Sequence, residues 1–132
     1  MKTLVVYFSR TGNTRKVATR IAETLGAEIE EIKETVSRKG MGGYLGAGMD
    51  SLRKKTPDIE PLARSAEDFD LVVLGAPVWA FTMAAPVRTY LKQNAESLPN
   101  VAFFCTMGGS GASRTFRHME EIAGKQPLAT LA

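Results

Sequence analysis

The feature that most constrains the fold is a continuous apolar run near the N-terminus, Leu4-Val5-Val6-Tyr7-Phe8. A strand that is apolar at every position is typical of a parallel sheet with helices on both faces. A polar loop follows the run, and apolar residues then recur at helical spacing from Val17 to Leu25 before Gly26 supplies a stop. The chain therefore begins with a buried strand, a loop and a helix.

The same alternation of strand and helix patterns continues along the chain. The predicted strands are Leu4–Phe8, Ala27–Ile32, Leu71–Gly75, Val101–Cys105 and Pro127–Leu131, of which the second is more polar and suits a sheet edge. One helix is predicted from Pro86, with Val87, Tyr90, Leu91 and Leu98 facing inward, and another over Phe116, Met119, Ile122 and Ala123, ending at Gly124. This alternation indicates an α/β fold with a mostly parallel sheet.

Residues 34–66 carry the weakest pattern. Leu45, Met49 and Leu52 fall at helical spacing, which predicts a short helix. Several glycines in the same segment argue for a loose one.

Size and composition limit the class of protein. The 132 residues fit one domain, 1–132, and the 44% apolar and 23% charged residues are ordinary for a globular protein. There is no run of 18 apolar residues and no leader pattern, so we expect no membrane span and no signal peptide. The single cysteine cannot form an internal disulfide, which favours a cytoplasmic location.

The net charge of +3 raises the question of a nucleic-acid partner. Basic residues concentrate in one segment: Lys33, Arg38, Lys39, Arg53, Lys54 and Lys55. No recognised nucleic-acid-binding module accompanies them, so we expect no nucleic-acid partner.

The sequence leaves the fifth strand without a helix after it. A five-stranded sheet of this kind normally needs such a helix to cover one face, and nothing follows Ala132. We therefore expect that the C-terminal helix is missing, because the chain is a fragment or because a partner subunit or an exchanged segment covers that face. An uncovered apolar face predicts self-association.

A loop rich in hydroxyl groups connects the first strand to the first helix, Ser9-Arg10-Thr11-Gly12-Asn13-Thr14. Helix starts expose unpaired N–H groups and the positive end of the helix dipole, so they bind phosphate well. The hydroxyls can donate to phosphate oxygens, and Gly12 lets the backbone approach closely. Neither G-x-x-x-x-G-K-S/T nor G-x-G-x-x-G is present here, so the loop favours a single phosphomonoester. The alternative is an ordinary capped helix start.

Three segments together resemble the flavodoxin family. The loop Ser9–Thr14 matches the family's phosphate pattern T/S-x-T-G-x-T at each fixed position, and Gly75–Trp79 and Thr106–Gly111 are similar to its two flavin-ring loops. The similarity runs from Met1 to about Leu131 and is weakest over residues 34–66. It implies a flavodoxin-like three-layer sandwich with a five-stranded parallel sheet in the order 2-1-3-4-5, and FMN bound without a covalent bond.

The resemblance and the residue types together predict the contacts with FMN. The phosphate would be held by Ser9, Thr11, Gly12, Asn13 and Thr14, with Arg10 at its rim. Pro77 and Val78 would shape the ring edge, Trp79 would stack on the ring, and Thr106, Met107, Gly108 and Gly109 would line its pyrimidine side. The alternatives are that Trp79 is core packing and that the glycine-rich loop is a flexible turn. The second ring-stacking aromatic that many flavodoxins carry in this third loop is absent.

Two redox functions remain open at this point. A flavodoxin-like electron carrier would exchange electrons with a redox partner protein, but such carriers tend to be strongly acidic and this chain is basic. The alternative is a reductase that takes hydride from NAD(P)H and reduces a quinone or a similar acceptor. A non-redox module with the same fold is a third hypothesis.

Other reactive side chains are predicted to be structural. Cys105 ends a buried strand, and a C-x₅-R phosphatase loop is excluded because the position of the arginine holds Gly111. His118, the sole histidine, lies on a polar helix face and is expected at the surface. Ser9 and Ser110 lack a histidine base, and no group of ligands has metal-binding spacing, so neither a hydrolase triad nor a metal site is expected.

Overall fold

The computed structural model describes residues 2–10, 12–34, 58–79, 82–106 and 111–132, with the Thr82 side chain excepted. Its strands are β1 (Thr3–Tyr7), β2 (Glu28–Glu31), β3 (Leu71–Trp79), β4 (Thr82–Met83), β5 (Asn100–Thr106) and β6 (Thr130–Leu131). Its helices are α1 (Asn13–Leu25), α2 (Ala85–Asn94) and α3 (Ala112–Ala123), and a 3₁₀ turn covers Ala66–Asp68.

The strands form one sheet in the order β2-β1-β3-β5-β6, with every neighbouring pair parallel. The short β4 pairs antiparallel with the end of β3. Numbered among the parallel strands alone, this order is 2-1-3-4-5, so the predicted flavodoxin-like order is confirmed. β2 is an edge strand, as its polar composition predicted.

Alternate residues of the central strands face opposite layers of the fold. Leu4 and Val6 of β1 pack in a cluster that includes Val87 of α2 and Met119 of α3. Val5 and Tyr7, on the other face, pack in a second cluster with Ala18 and Ala22 of α1. Helices therefore cover both faces of the sheet, which is why β1 is apolar along its whole length.

The glycine and proline signals mark helix boundaries as predicted, but α2 ends at Asn94, so Leu98, which was predicted to face inward from this helix, lies beyond it. The N–H of Gly26, in the left-handed conformation at φ 63°, bonds to the carbonyl oxygens of Ala22 and Glu23 and ends α1. Pro86 lies in the first turn of α2, and Gly124 ends α3 at φ 72°. Among the described residues, no helix has the length and apolar composition that a membrane span requires.

The third strand is longer than predicted. The sequence analysis ended this strand at Gly75 and likened Gly75–Trp79 to a flavin-ring loop, but β3 continues to Trp79 and pairs with Thr82–Met83. The prediction was wrong because Pro77 indicates a loop locally, whereas tertiary pairing extends the strand. β1 pairs with β3 only as far as Gly75, whereas Pro77 is paired with Thr106 of β5. Proline is tolerated in a strand where no neighbouring strand needs its N–H.

The predicted short helix over Leu45–Leu52 lies outside the described residues. The described residues on either side of that segment meet at the end of β2. Glu34 and Ile59 form an antiparallel bridge, and the N–H of Glu60 donates to the carbonyl of Lys33 at 2.7 Å. The chain thus leaves β2 and returns beside it.

The residues just before β6 already form hydrogen bonds with β5. The N–H of Leu128 donates to the carbonyl of Val101 at 2.7 Å, and the N–H of Phe103 donates to Ala129 at 3.1 Å. Leu128 and Leu131 leave 64% and 57% of their surface exposed. The far edge of the sheet is therefore partly apolar.

Candidate functional site

The carboxyl ends of β1, β3 and β5 lie at the same edge of the sheet, because the strands are parallel. The chain order reverses between β1 and β3, and open α/β sheets bind ligands at such a switch point. The loop after β1, the β3–β4 hairpin and the end of β5 thus meet at one place.

Ser9 accepts a hydrogen bond within the loop after β1. The N–H of Gly12 donates to Ser9 Oγ at 2.9 Å, and the carbonyl of Gly12 accepts the N–H of Lys16 at 3.1 Å to begin α1. Gly12 has a φ of 98°, although a Cβ there would meet no atom within 4 Å. Glycine is needed here for its backbone conformation, since other residues are strained at this φ.

The start of α1 has a glycine as its N-cap residue. Gly12 has no side chain with which to cap the helix, so it does not itself occupy the first N–H groups of this 13-residue helix. Such groups, with the positive end of the helix dipole, favour an anionic ligand. No acidic residue lies in the first turn to compete with that ligand.

Two hydroxyl groups connect the start of α1 to the end of β5. Thr14 Oγ1 and Thr106 Oγ1 are 2.7 Å apart, and Thr14 is only 2% exposed. The sequence analysis assigned Thr14 to the phosphate and Thr106 to the ring. The structure brings the two side chains into direct contact.

Arg15 lies beside the loop, and the sequence analysis did not select it. Its Nε donates to the Tyr7 hydroxyl at 3.3 Å and its Nη2 to Glu31 Oε2 at 2.7 Å. These hydrogen bonds, with Tyr7 first and Glu31 second, raise the pKa of Arg15. The position of Glu31 one strand away, on β2, explains why local sequence carried no signal for this pairing.

Trp79 lies at the end of β3, within the hydrophobic core. It is 9% exposed, and its ring meets that of Phe8 edge to face, with centroids 5.3 Å apart and an interplanar angle of 89°. Met83 and Ala84 belong to the same cluster. This burial supports the core-packing interpretation, although the Phe8 contact also holds the indole at the sheet edge where the loops meet.

The structure describes nine of the thirteen predicted site residues. Ser9, Arg10, Gly12, Asn13 and Thr14 lie together at the head of α1, and Pro77, Val78, Trp79 and Thr106 lie at the ends of β3 and β5. Thr11, Met107, Gly108 and Gly109 lie outside the described residues. The described members therefore converge on one edge of the sheet.

Cys105 and His118, which the sequence analysis did not assign to the site, differ in their burial. Cys105 is 3% exposed, and burial raises the pKa of its thiol, which agrees with a structural role. His118 is half-buried rather than fully at the surface. It lines a cavity of about 170 Å³ between α2 and α3 together with Arg88 and Glu121. The helical pattern could not show this packing, because it depends on the approach of α2.

Comparison with known proteins supports one family. A family model described as Flavodoxin matches residues 2–128. A flavoprotein from Lactobacillus acidophilus NCFM, solved in complex with FMN, is 28% identical with a TM-score of 0.84, and the match covers 98% of this chain and 91% of that one. The apo form of the flavoprotein from the same organism has a TM-score of 0.76, with the same identity and coverage.

A flavodoxin from the domain Archaea is 19% identical with a TM-score of 0.58, and the match covers all of this chain and 84% of that one. This likeness concerns the fold alone. No match was found among curated proteins. The match of the family model to nearly the whole sequence, on a sheet of the same strand order, shows that this chain belongs to the flavodoxin family.

Proposed function

We propose that this protein binds FMN and acts in electron transfer, with the flavin phosphate at the head of α1. The observation that carries the proposal is the glycine-capped helix start beside the buried hydroxyl of Thr14. Family membership and the FMN complex of the 28% identical flavoprotein support the choice of FMN over other phosphate esters.

The residues present fit a phosphate dianion. The hydrogen bond from Gly12 N–H leaves the Ser9 hydroxyl proton available to donate, since Ser9 Oγ is the acceptor in that bond. Thr14 offers a second hydroxyl, and Asn13 and Thr14 lie in the first turn of α1, where N–H groups face the ligand. Arg10 at the rim would add positive charge. A hydrogen bond to a charged group is worth about 1.5–3 kcal/mol.

The ring would lie between the β3–β4 hairpin and the segment after Thr106. We propose that Pro77 and Val78 border its edge and that Trp79 contributes a stacking surface. Because the indole is 9% exposed, only part of it can reach a ligand without a local shift. Met107, Gly108 and Gly109 would line the pyrimidine side, and Thr11 would complete the phosphate loop.

The chemistry would come from the cofactor, since bound FMN accepts and donates one or two electrons. The residues of this chain would fix its position, control the access of water and set the charge near the ring. No side chain is required as an acid or a base in this scheme. The electrons would pass to and from a redox partner protein.

A second candidate function is an NAD(P)H-dependent reductase of quinones or similar acceptors. The observation that favours it is the net charge of +3, which differs from the acidic charge that steers many electron carriers to their partners. A positively charged surface would attract the phosphates of NAD(P)H.

A titration of the purified protein with FMN tests the proposal. We expect saturable uptake, seen as quenching of flavin fluorescence, and weaker uptake by Thr14→Ala. Folded protein that takes up no FMN would contradict the proposal. Anaerobic mixing of the FMN-loaded protein with NADPH then separates the two functions, because direct bleaching of the flavin with quinone turnover indicates the reductase.

A further inference from the structure

The contact between Thr14 and Thr106 joins parts of the molecule that are 92 residues apart in sequence. Thr14 is in the first turn of α1 and Thr106 is the last residue of β5. Their oxygens are 2.7 Å apart, which is the usual length of a hydroxyl–hydroxyl hydrogen bond. The two side chains therefore form one polar unit between the start of α1 and the end of β5.

The number of protons in this unit limits what it can bind. Two hydroxyl groups have two protons, and the bond between them uses one. Either oxygen can be the donor. If Thr14 donates to Thr106, Thr14 has only lone pairs left for a ligand. If Thr106 donates to Thr14, the proton of Thr14 remains available.

A phosphate dianion selects between these two arrangements. Its oxygens only accept hydrogen bonds, so they are repelled by lone pairs and attracted to a free proton. Thr14 is 2% exposed, so little water competes for its hydroxyl, and a phosphate reaches that hydroxyl only after a local shift. A donor bond from Thr106 would also polarise the Thr14 hydroxyl and strengthen its own donation.

We propose that Thr106 is a positioning residue for the FMN phosphate and acts through Thr14, which deepens the function proposed above and rests on it. The Thr106 hydroxyl donates to Thr14 Oγ1, and the Thr14 proton is thereby directed away from Thr106 and toward the phosphate. This role differs from a contact with the pyrimidine edge of the ring, which the family resemblance implies for this position.

The fold holds both residues in place for this role. Thr106 is paired in register with Pro77 at the end of β3, and Thr14 belongs to a regular helix. Neither backbone needs to move for the hydroxyls to stay in contact. The two side chains lose their conformational entropy on folding rather than on binding, which favours the affinity for FMN.

Parallel titrations with FMN and riboflavin test the proposal, because riboflavin has the same ring without the phosphate. The proteins are the parent chain, Thr106→Val, which keeps the shape of the side chain, and Thr106→Ser, which keeps the hydroxyl. We expect Thr106→Val to weaken FMN by about fivefold to tenfold and riboflavin by less than about twofold. Thr106→Ser should restore most of the FMN affinity. Thermal melting of each variant verifies that it is folded.

A double-mutant cycle provides the second test. In a Thr14→Val background, Thr106→Val should have little further effect on FMN, because the hydroxyl that it orients is gone. Equal losses for FMN and riboflavin, an unchanged FMN affinity, or additive effects in the cycle would each overturn the role of Thr106. A parent chain that binds riboflavin as tightly as FMN would overturn the phosphate site itself. A parent chain that binds neither flavin would overturn the proposed function.

Discussion

The ring of Phe104 lies in the space that a side chain at position 75 would occupy. Gly75 and Phe104 are register partners on β3 and β5, and a Cβ at Gly75 would overlap the Cζ atom of the ring. Phe104 is 1% exposed in this position, within the cluster on the α1 face. The aromatic ring thus covers the glycine and fills the layer between the sheet and α1.

Replacement of Gly75 by alanine should destabilise the protein by about 1–3 kcal/mol, because the Phe104 ring must leave its position. Urea denaturation measures the change. The matched control is the same substitution in a Phe104→Leu background, where the penalty should be smaller. An equal penalty in both backgrounds would show that the ring is not the cause.

Gly12→Ala should lower both stability and FMN affinity. The φ of 98° costs an L-residue about 1–2 kcal/mol, and relief of this strain would distort the helix start that we propose holds the phosphate. Gly26→Ala, at φ 63° on the other end of α1, is the control. It should lose stability and keep FMN affinity. If Gly12→Ala retains the parent affinity, the loop backbone does not hold the phosphate.

Trp79→Ala should weaken FMN binding and shift the reduction potential, because the substitution removes the proposed stacking surface. It should also destabilise the protein by about 3–5 kcal/mol, since the indole is largely buried. Leu91→Ala, in the same core cluster, is the control for stability loss alone. Should both variants bind FMN as the parent does, Trp79 is a core residue only.

Tyr90 gives a prediction about alkaline pH. Burial, with a smaller contribution from Glu30, raises the pKa of Tyr90 to about 12, above its ordinary value of 10.0. Between pH 10 and pH 12, the folded state keeps a proton that the unfolded state releases. The free energy of unfolding therefore has its full value below pH 10 and falls as the pH rises toward 12. At about 1.36 kcal/mol per pKa unit, the free energy of unfolding decreases by about 3 kcal/mol in total.

Tyr90→Phe should remove this pH dependence. The Tyr90 hydroxyl is buried and has no hydrogen-bond partner within the described part of the chain. Its removal should therefore stabilise the protein at neutral pH by about 1 kcal/mol. Denaturant melts of both proteins between pH 8 and pH 12 measure the two effects. Parallel stability curves for the parent and Tyr90→Phe would count against the assignment.

The exposed leucines of the outer strand predict self-association. Leu128 and Leu131 leave 64% and 57% of their surface exposed, beside an edge strand whose outer backbone groups can pair with another chain. We expect light scattering to detect oligomers that Leu128→Lys with Leu131→Lys reduces. The control is Leu25→Lys, an exposed leucine at the end of α1. A monomeric parent protein would contradict this expectation.

Local sequence predicted most of the secondary structure, because the signals are short-range. The apolar run Leu4–Phe8 indicated a strand buried on both faces, and Gly26 and Gly124 ended their helices where the pattern placed them. The loop Ser9–Thr14 also carried its own signal, since a helix start exposes N–H groups whatever the rest of the chain does.

Other features depended on contacts between distant residues, and only the tertiary structure decided them. Pro77 indicated a loop, yet pairing with β5 and β4 made it part of a strand. Trp79 became part of the core through Phe8, and Thr14 met Thr106 across 92 residues. By itself, the sequence determined most of the elements and the glycine at the start of α1, because propensity and capping act within a few residues. The partners of each side chain were decided by the order of the strands, which brings remote segments to one edge of the sheet.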